Sequence, residues 1–227
     1  MKKIVMIVAI TLAWCVSAKA GISLNQTRIV FMADKTSGQI MVRNSDDSVY
    51  LVQAVVLDEQ AKAVSRDFIV TPPIFRLEGK NENILRIMRA GGDFANDRES
   101  LRYFMIRAIP ASSKPLQQQG SALSIALGTQ IKLFYRPLKL QPAVAESYQR
   151  LTARQQGNQF VVHNPTPYYQ SFAQIKLEGK AVDFSQQPQM VAPFSDVTFK
   201  THQSVRYWQW SCINDYGGES ELYRQKL

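Results

Sequence analysis

The sequence contains few residues of the kinds that support cross-linking or catalysis. Its 227 residues include two cysteines and two histidines. Cys15 lies in an N-terminal leader, so the mature chain keeps only Cys212 and can form no internal disulfide. A secreted domain without that bond depends on its hydrophobic core. We therefore expect Cys212 to be a buried thiol rather than a nucleophile, with intermolecular pairing left open.

Motifs of known active sites are also missing. The histidines, His163 and His202, have no spacing to each other or to acids that suggests a metal site. Gly79-Lys80 lacks the upstream glycine of a phosphate-binding loop, and no GxSxG run occurs. These absences argue against an enzyme and predict neither cofactor nor metal.

The apolar run at the N-terminus is too short to span a membrane. Ile4–Leu12 follows Lys2 and Lys3, and Ala18-Lys19-Ala20 places small residues where a signal peptidase cleaves. A membrane span needs about 20 apolar residues. The pattern predicts a signal peptide over residues 1–20, cleaved after Ala20. No later segment is apolar enough to predict a protein embedded in a membrane.

The chain is basic, with a formal net charge of +9. The leader accounts for three of its 27 lysines and arginines and for no acid, which leaves the mature chain an excess of six positive charges. Secretion argues against a nucleic-acid partner. The charge fits an acidic membrane surface, an anionic partner or a solubilising surface.

Short alternating segments separated by turn signals indicate an all-β protein. Pro137 and Pro142 flank a stiff connector, where we place a boundary between domains at residues 21–140 and 141–227. The first domain's expected strands are Ile22–Phe31, Gln39–Arg43, Val49–Leu57, Phe68–Val70, Ile74–Leu77, Ile84–Arg89, Leu101–Ile109 and Leu123–Tyr135. Those of the second are Gln149–Ala153, Gln159–His163, Tyr168–Leu177, Val197–Lys200 and Val205–Ile213.

One strand has an unusual composition. In LSIALGTQIKLFYRP, which begins at Leu123, large apolar residues alternate with small ones as far as Gly128. Lys132 then stands between Ile131 and Leu133, where a buried charge is costly without a partner. This pattern predicts a strand that offers apolar side chains and a charge to another molecule.

Several ordered motifs together resemble the periplasmic pilus chaperones of the chaperone–usher pathway. They are NQTRIVF around Arg28, TPPIFRLEGKNENILRIMR, FANDRESLRYFMIRAIPA, the Leu123 strand, and Ile213–Gly218. The resemblance covers nearly the whole mature chain and implies two immunoglobulin-like β-sandwich domains arranged in an L with a cleft between them. One residue departs from the pattern: Met105 stands where the family usually has asparagine, whose hydrogen bonds methionine cannot make.

The resemblance also implies a function. Such chaperones bind, fold and cap pilus (fimbrial) subunits by donor-strand complementation and deliver them to an outer-membrane usher. Leu123, Ile125 and Leu127 match the donor residues that enter the subunit. The polar connection Ala111–Gly120 resembles the family's short-loop branch. Self-association of the free chaperone, which would cover its donor edge, stays open.

Five charged residues match further parts of the family pattern. Arg28 and Lys132 match the pair that binds the subunit's C-terminal carboxylate, where charge-assisted hydrogen bonds favour an anion. Glu99, Arg136 and Asp215 match an interdomain charge network, whose role we expect to be orientation rather than stability.

Two alternatives from other classes remain. A secreted immunoglobulin-like adhesin or pilus structural subunit would share the fold class, but a subunit should lack a strand and usually carries a disulfide. A secreted β-sandwich hydrolase would need acids that converge only in three dimensions.

Overall fold

The computed structural model describes residues 21–111 and 126–227. The predicted signal peptide, the connection from residue 112 to 120, and the donor residues Leu123 and Ile125 lie outside the described residues. The described chain is almost entirely β-structure. Its helical elements are a single turn, α1 (Val144–Ser147), and the 3₁₀ turn Tyr148–Arg150 that follows.

Nine strands form two sheets in the N-terminal part. One sheet has the order β1-β3-β7-β5 and the other β2-β9-β8-β4-β6. The strands are β1 (Ile22–Leu24), β2 (Arg28–Met32), β3 (Ser37–Asn44), β4 (Tyr50–Leu57), β5 (Phe68–Thr71), β6 (Ile74–Leu77), β7 (Glu82–Arg89), β8 (Ser100–Pro110) and β9 (Leu127–Arg136).

The alternation expected of a strand with one buried face is seen in β4. Val52, Ala54 and Val56 are almost completely buried, whereas Leu51 is 47% exposed. The inward residues of both sheets form one core, to which Phe104 and Leu133 belong. Two sheets that bury their inner faces against each other make a sandwich, so the first domain is confirmed as a β-sandwich.

The prediction of a single strand over Ile22–Phe31 is wrong. β1 pairs with β3 in one sheet, while β2 pairs in parallel with β9 in the other. The polar residues between them make the crossing: Asn25 exchanges two hydrogen bonds with Met41, donating from its backbone N–H and accepting at Oδ1. The crossing places Arg28 next to β9.

Eight strands follow in the C-terminal part. They form the sheet β10-β11-β15 and the sheet β13-β12-β16-β17, with β14 paired to β12. The strands are β10 (Thr152–Gln156), β11 (Gln159–Asn164), β12 (Gln170–Leu177), β13 (Lys180–Ala181), β14 (Met190–Val191), β15 (Ser195–Lys200), β16 (Tyr207–Cys212) and β17 (Tyr223–Lys226).

A second core, separate from the first, holds this part together. It is built around Trp208, Trp210 and Phe160. Cys212 is fully buried within it as a free thiol, as the sequence predicted, and burial raises the pKa of the thiol to about 12. Two domains, each a β-sandwich, confirm the predicted fold class.

In the second domain, the predicted bounds of one strand are wrong and three strands were not predicted. The strand expected over Gln149–Ala153 begins only at Thr152, because the 3₁₀ turn occupies the preceding residues. The strands β13, β14 and β17 were not predicted, since two of them have only two residues and β17 (YRQK) alternates weakly in hydropathy.

The connector between the domains is held from the C-terminal side. The Tyr168 hydroxyl donates to the Pro142 carbonyl at 2.9 Å, and Leu140 is buried. The two cores lie on either side of this connector.

Two further features bear on the sequence analysis. Both ladders of β8 run through Met105 without interruption, to Val55 on one side and Gln130 on the other. Among the described residues there is no helix with the length and hydropathy of a membrane span.

Candidate functional site

An open strand edge borders the cleft between the domains. β9 pairs with β8 from Leu127 to Tyr135, but it pairs with β2 only from Lys132 to Arg136. Residues Leu127–Ile131 therefore present one backbone edge without a partner strand among the described residues; we call it the open edge. An open edge of this kind can accept a strand from another chain.

Of the three predicted donor residues, only the last lies in the described chain. Leu127 is the first residue of β9 and pairs with Ala108. Further along β9, Ile131 and Leu133 face the N-terminal core.

Two cations lie where the open edge ends. Arg28 and Lys132, the anchor pair, are direct neighbours in the parallel ladder of β2 and β9. Arg28 is buried, and its Nη1 donates to the Ile213 carbonyl at 2.8 Å. Lys132 Nζ donates to the Ser171 hydroxyl at 3.1 Å. Both bonds cross from the N-terminal to the C-terminal domain, and both acceptors are neutral.

Among the described residues, no acid forms an ion pair with either member of the anchor pair, although Asp215 and Glu99 lie close enough to favour the charged form of Arg28. Arg28 Nε is buried and makes no hydrogen bond to any described residue. Burial lowers the pKa of Arg28. Burial, and then repulsion from Arg28, lower the pKa of Lys132 to about 8. Two adjacent, partly desolvated cations favour a nearby anion electrostatically, and a carboxylate can accept two charge-assisted hydrogen bonds in a planar geometry.

Three further charged residues meet beside the connector. Arg136 Nε donates to Glu99 at 2.7 Å, and its two terminal nitrogens donate to Asp215 at 2.6 and 2.7 Å. Glu99 also accepts the backbone N–H of Tyr169 at 2.8 Å. The structure thus brings the three predicted network residues, Glu99, Arg136 and Asp215, into direct contact across the domain boundary.

The network is buried, which determines its electrostatics. Glu99 is 3% exposed and Arg136 8%. Burial raises the pKa of Glu99, against the opposing effect of Arg136. Burial alone would lower the pKa of Arg136, but the bonds to Asp215 and Glu99 outweigh it and the pKa is raised. Asp215 and Glu99 together therefore stabilise the charge of Arg136, and Arg136 with the Tyr169 N–H offsets part of the cost of the buried Glu99 carboxylate.

Sequence reasoning missed the groups that hold the anchor pair. Ser171 and Ile213 are hydrogen-bonded to each other, Ile213 N–H to Ser171 carbonyl at 2.7 Å. A serine within the predicted strand Tyr168–Leu177 was the available signal, and it is weak, because nothing in the sequence pairs it with a lysine 39 residues away.

The histidines do not take part in this site. His163 lies on an outer sheet face with its Nδ1 2.6 Å from Asp196, and His202 lies in the loop after β15. In the part of the chain that the structure describes, no cluster of three or more histidines, cysteines or acids could hold a metal ion.

Comparison with known proteins agrees with this architecture. Residues 21–141 match the family described as "Pili and flagellar-assembly chaperone, PapD N-terminal domain", and residues 146–224 match "Pili assembly chaperone PapD, C-terminal domain". Together they cover almost all of the described chain.

Individual proteins are similar over the same span. The chain is 38% identical to the probable fimbrial chaperone ElfD of Escherichia coli over 214 residues, which are 92% of this chain and 87% of ElfD. It is 36% identical to the chaperone PmfD of Proteus mirabilis over 91% of this chain and 84% of PmfD.

A solved structure of SafB from Salmonella enterica, in complex with the SafA pilin, superposes with a TM-score of 0.83 at 31% identity. The match covers 91% of this chain and 96% of the other. The chain belongs to the family of PapD-like chaperones of pilus assembly.

Proposed function

We propose that this protein is a periplasmic chaperone that binds pilus subunits, folds and caps them by donor-strand complementation, and delivers them to an outer-membrane usher. The observation that carries the proposal is the open edge of β9, which ends at the anchor pair of Arg28 and Lys132. The solved complex of SafB with a pilin supports a pilus subunit as the class of partner.

In this proposal the subunit adds a strand along the open edge. Leu123, Ile125 and Leu127 would enter the groove that its incomplete sandwich leaves uncovered. Burial of each aliphatic side chain contributes about 1.5–3 kcal/mol. Part of this stabilisation offsets the cost of ordering the subunit.

The anchor pair would bind the carboxylate at the subunit's C-terminus. Each charge-assisted hydrogen bond contributes about 1.5–3 kcal/mol. A carboxylate held at Lys132 also sets the register, because Leu127 lies roughly 17 Å away along the strand at about 3.3 Å per residue. A shift by one residue would turn the opposite face of the strand toward the subunit.

The interdomain network would hold the orientation of the two domains. Arg136 binds an acid from each domain. Replacing a buried ion pair by apolar residues is often neutral for stability, so geometry is the better explanation of its role. A fixed orientation would keep Ser171 and the Ile213 carbonyl beside the anchor pair.

The proposal also covers the location of the protein and the release of the subunit. The signal peptide, residues 1–20, would direct the chain to the periplasm, leaving domains at 21–140 and 141–227. The protein would act without catalysis, cofactor or metal. Release would follow when the N-terminal extension of another subunit replaces the donor strand. Without a subunit, the open edge favours self-association of two copies.

The adhesin and hydrolase alternatives receive less support. A pilus structural subunit is expected to have an incomplete sandwich that lacks one strand. Membership of the chaperone family instead accounts for both domains of this chain.

Periplasmic co-expression with a pilus subunit tests the proposal. A tag on this chain should recover an otherwise unstable subunit in a one-to-one ratio. Arg28→Ala and Lys132→Ala should stay folded and lose the subunit. Arg43→Ala is a suitable control, because Arg43 is exposed and pairs with Glu82 away from the cleft. Undiminished recovery with both anchor variants would exclude the anchor.

A further inference from the structure

A glycine of the C-terminal domain lies directly against the N-terminal domain. Gly217 has φ +84, in the left-handed region that favours glycine. It also lies against Thr27 of the N-terminal domain. A Cβ at Gly217 would overlap Thr27 Oγ1 and would lie 3.6 Å from Thr27 Cβ and 3.8 Å from its Cγ2. Any side chain here requires Thr27 or the turn to move.

The turn that contains Gly217 is internally tied. Asn214 Oδ1 accepts the backbone N–H groups of Tyr216 and Gly218, each at 3.0 Å. The backbone of Asn214 exchanges hydrogen bonds with the same segment, accepting from Gly217 N–H at 3.0 Å and donating to the Gly218 carbonyl at 2.8 Å. With four such bonds, the Ile213–Gly218 turn would move as a unit rather than deform at one residue.

The same turn supplies two of the contacts described above. The Ile213 carbonyl accepts a hydrogen bond from Arg28 Nη1. The Asp215 carboxylate accepts hydrogen bonds from both terminal nitrogens of Arg136. Thr27, which Gly217 contacts, directly precedes Arg28. The Gly217–Thr27 contact therefore lies one residue from the anchor cation on one side and two residues from the network acid on the other.

We infer that Gly217 is a positioning residue for the anchor pair. Its lack of a side chain lets the Ile213–Gly218 turn close on Thr27, and this closure places the Ile213 carbonyl where it orients the Arg28 guanidinium. A side chain at 217 displaces the turn and releases Arg28 from its acceptor. The importance of that orientation for binding a carboxylate rests on the proposed function.

The chain offers a matched control for this inference. Gly157, in the hairpin between β10 and β11, also has a positive φ, +57, but a Cβ there would meet nothing within 4 Å. Gly157→Ala and Gly217→Ala therefore impose similar backbone strain, about 1 kcal/mol, and differ in the contact with Thr27. Thr27→Ala removes Oγ1 and Cγ2, so it should relieve the overlap in the double variant.

Two measurements test the inference. The first is the ¹⁵N NMR signal of the Arg28 guanidinium in the free protein. The second is the ratio of affinities for two peptides of the same alternating apolar sequence, one ending in a free carboxylate and the other in an amide. Gly217→Ala should shift the Arg28 signal and reduce the acid-over-amide preference about threefold to tenfold. Gly157→Ala should change neither, and adding Thr27→Ala to Gly217→Ala should restore both.

The outcomes separate the inference from the function on which it rests. If Gly217→Ala leaves the Arg28 signal where Gly157→Ala does, or Thr27→Ala gives no recovery, the positioning role is wrong. If the wild-type protein binds acid and amide peptides equally, the carboxylate anchor and the proposed function fail. A shifted Arg28 signal would in that case still support Gly217 as the residue that positions Arg28.

Discussion

Raising the pH should weaken the binding of a subunit carboxylate through one residue, Lys132. In the free protein, burial and the neighbouring Arg28 lower the pKa of Lys132 to about 8. A bound carboxylate favours the ammonium, so the pKa rises in the complex. Above about pH 8, binding must therefore take up a proton, and affinity falls as pH increases.

The size of the effect follows from the protonated fraction of free Lys132. One pH unit below its pKa, about nine tenths of the molecules carry the charge, and one unit above, about one tenth. Affinity at about pH 9 should then be roughly tenfold lower than at about pH 7, or about 1.4 kcal/mol. The full tenfold ratio requires that Lys132 in the complex stays protonated throughout this pH range.

The stability of the free protein should respond in the opposite direction. The folded-state pKa is below the unfolded value of 10.5, so the unfolded chain binds more protons between about pH 8 and 10.5. Stability therefore rises over that window, as the cost of the buried ammonium is lost. At about 1.4 kcal/mol per pKa unit, this cost is at most about 3.5 kcal/mol, and it is smaller to the extent that solvent reaches the ammonium.

A fluorescence titration with the free-carboxylate peptide across this pH range measures the slope. Lys132→Arg is the control, because guanidinium stays protonated throughout and should make affinity nearly independent of pH. Equal affinity of the wild-type protein at about pH 7 and pH 9 would refute the reasoning. So would an unchanged slope in Lys132→Arg, since another group would then be titrating.

Three further predictions concern the network and the donor strand. Arg136→Met should destabilise the protein by about 3–5 kcal/mol by leaving Glu99 buried without its cation. Because the pKa of Glu99 is then raised further, this variant should be more stable at about pH 5 than at pH 7 in thermal unfolding. Asp215→Asn should destabilise the protein less than Arg136→Met does, since the Asp215 side chain is 27% exposed. It should also change the small-angle scattering profile. Ile125→Glu should abolish subunit recovery by placing a charge in an apolar groove, while the circular dichroism spectrum stays that of the wild type.

For each of these variants, one result would contradict the prediction. A combined Arg136→Met and Glu99→Leu variant should recover most of the stability, and no recovery would mean that the buried charge is not the cause. Identical scattering and subunit yield for Asp215→Asn would argue against a role in domain orientation. Unfolding of Ile125→Glu would place that side chain in the protein's own core.

Local sequence patterns predicted most of the individual strands. Alternation in Val49–Leu57 and Leu101–Ile109 indicates which residues face a core, because successive side chains of a strand point to opposite faces. The burial of Cys212 followed from the same pattern. The resemblance of ordered motifs then brought Arg28, Lys132, Glu99, Arg136 and Asp215 to attention before any contact was known.

What the sequence determined by itself was therefore local: which segments are strands, which faces are apolar and which residues carry charge. The tertiary structure decided that residues 22–32 divide between two sheets, that β9 keeps one edge open, and that Ile213 and Ser171 hold the anchor pair. The Arg28–Ile213 bond joins residues 185 positions apart. Periodicity describes neighbours within one strand, whereas a bond across two domains depends on how complete sandwiches pack, and no local spacing encodes that.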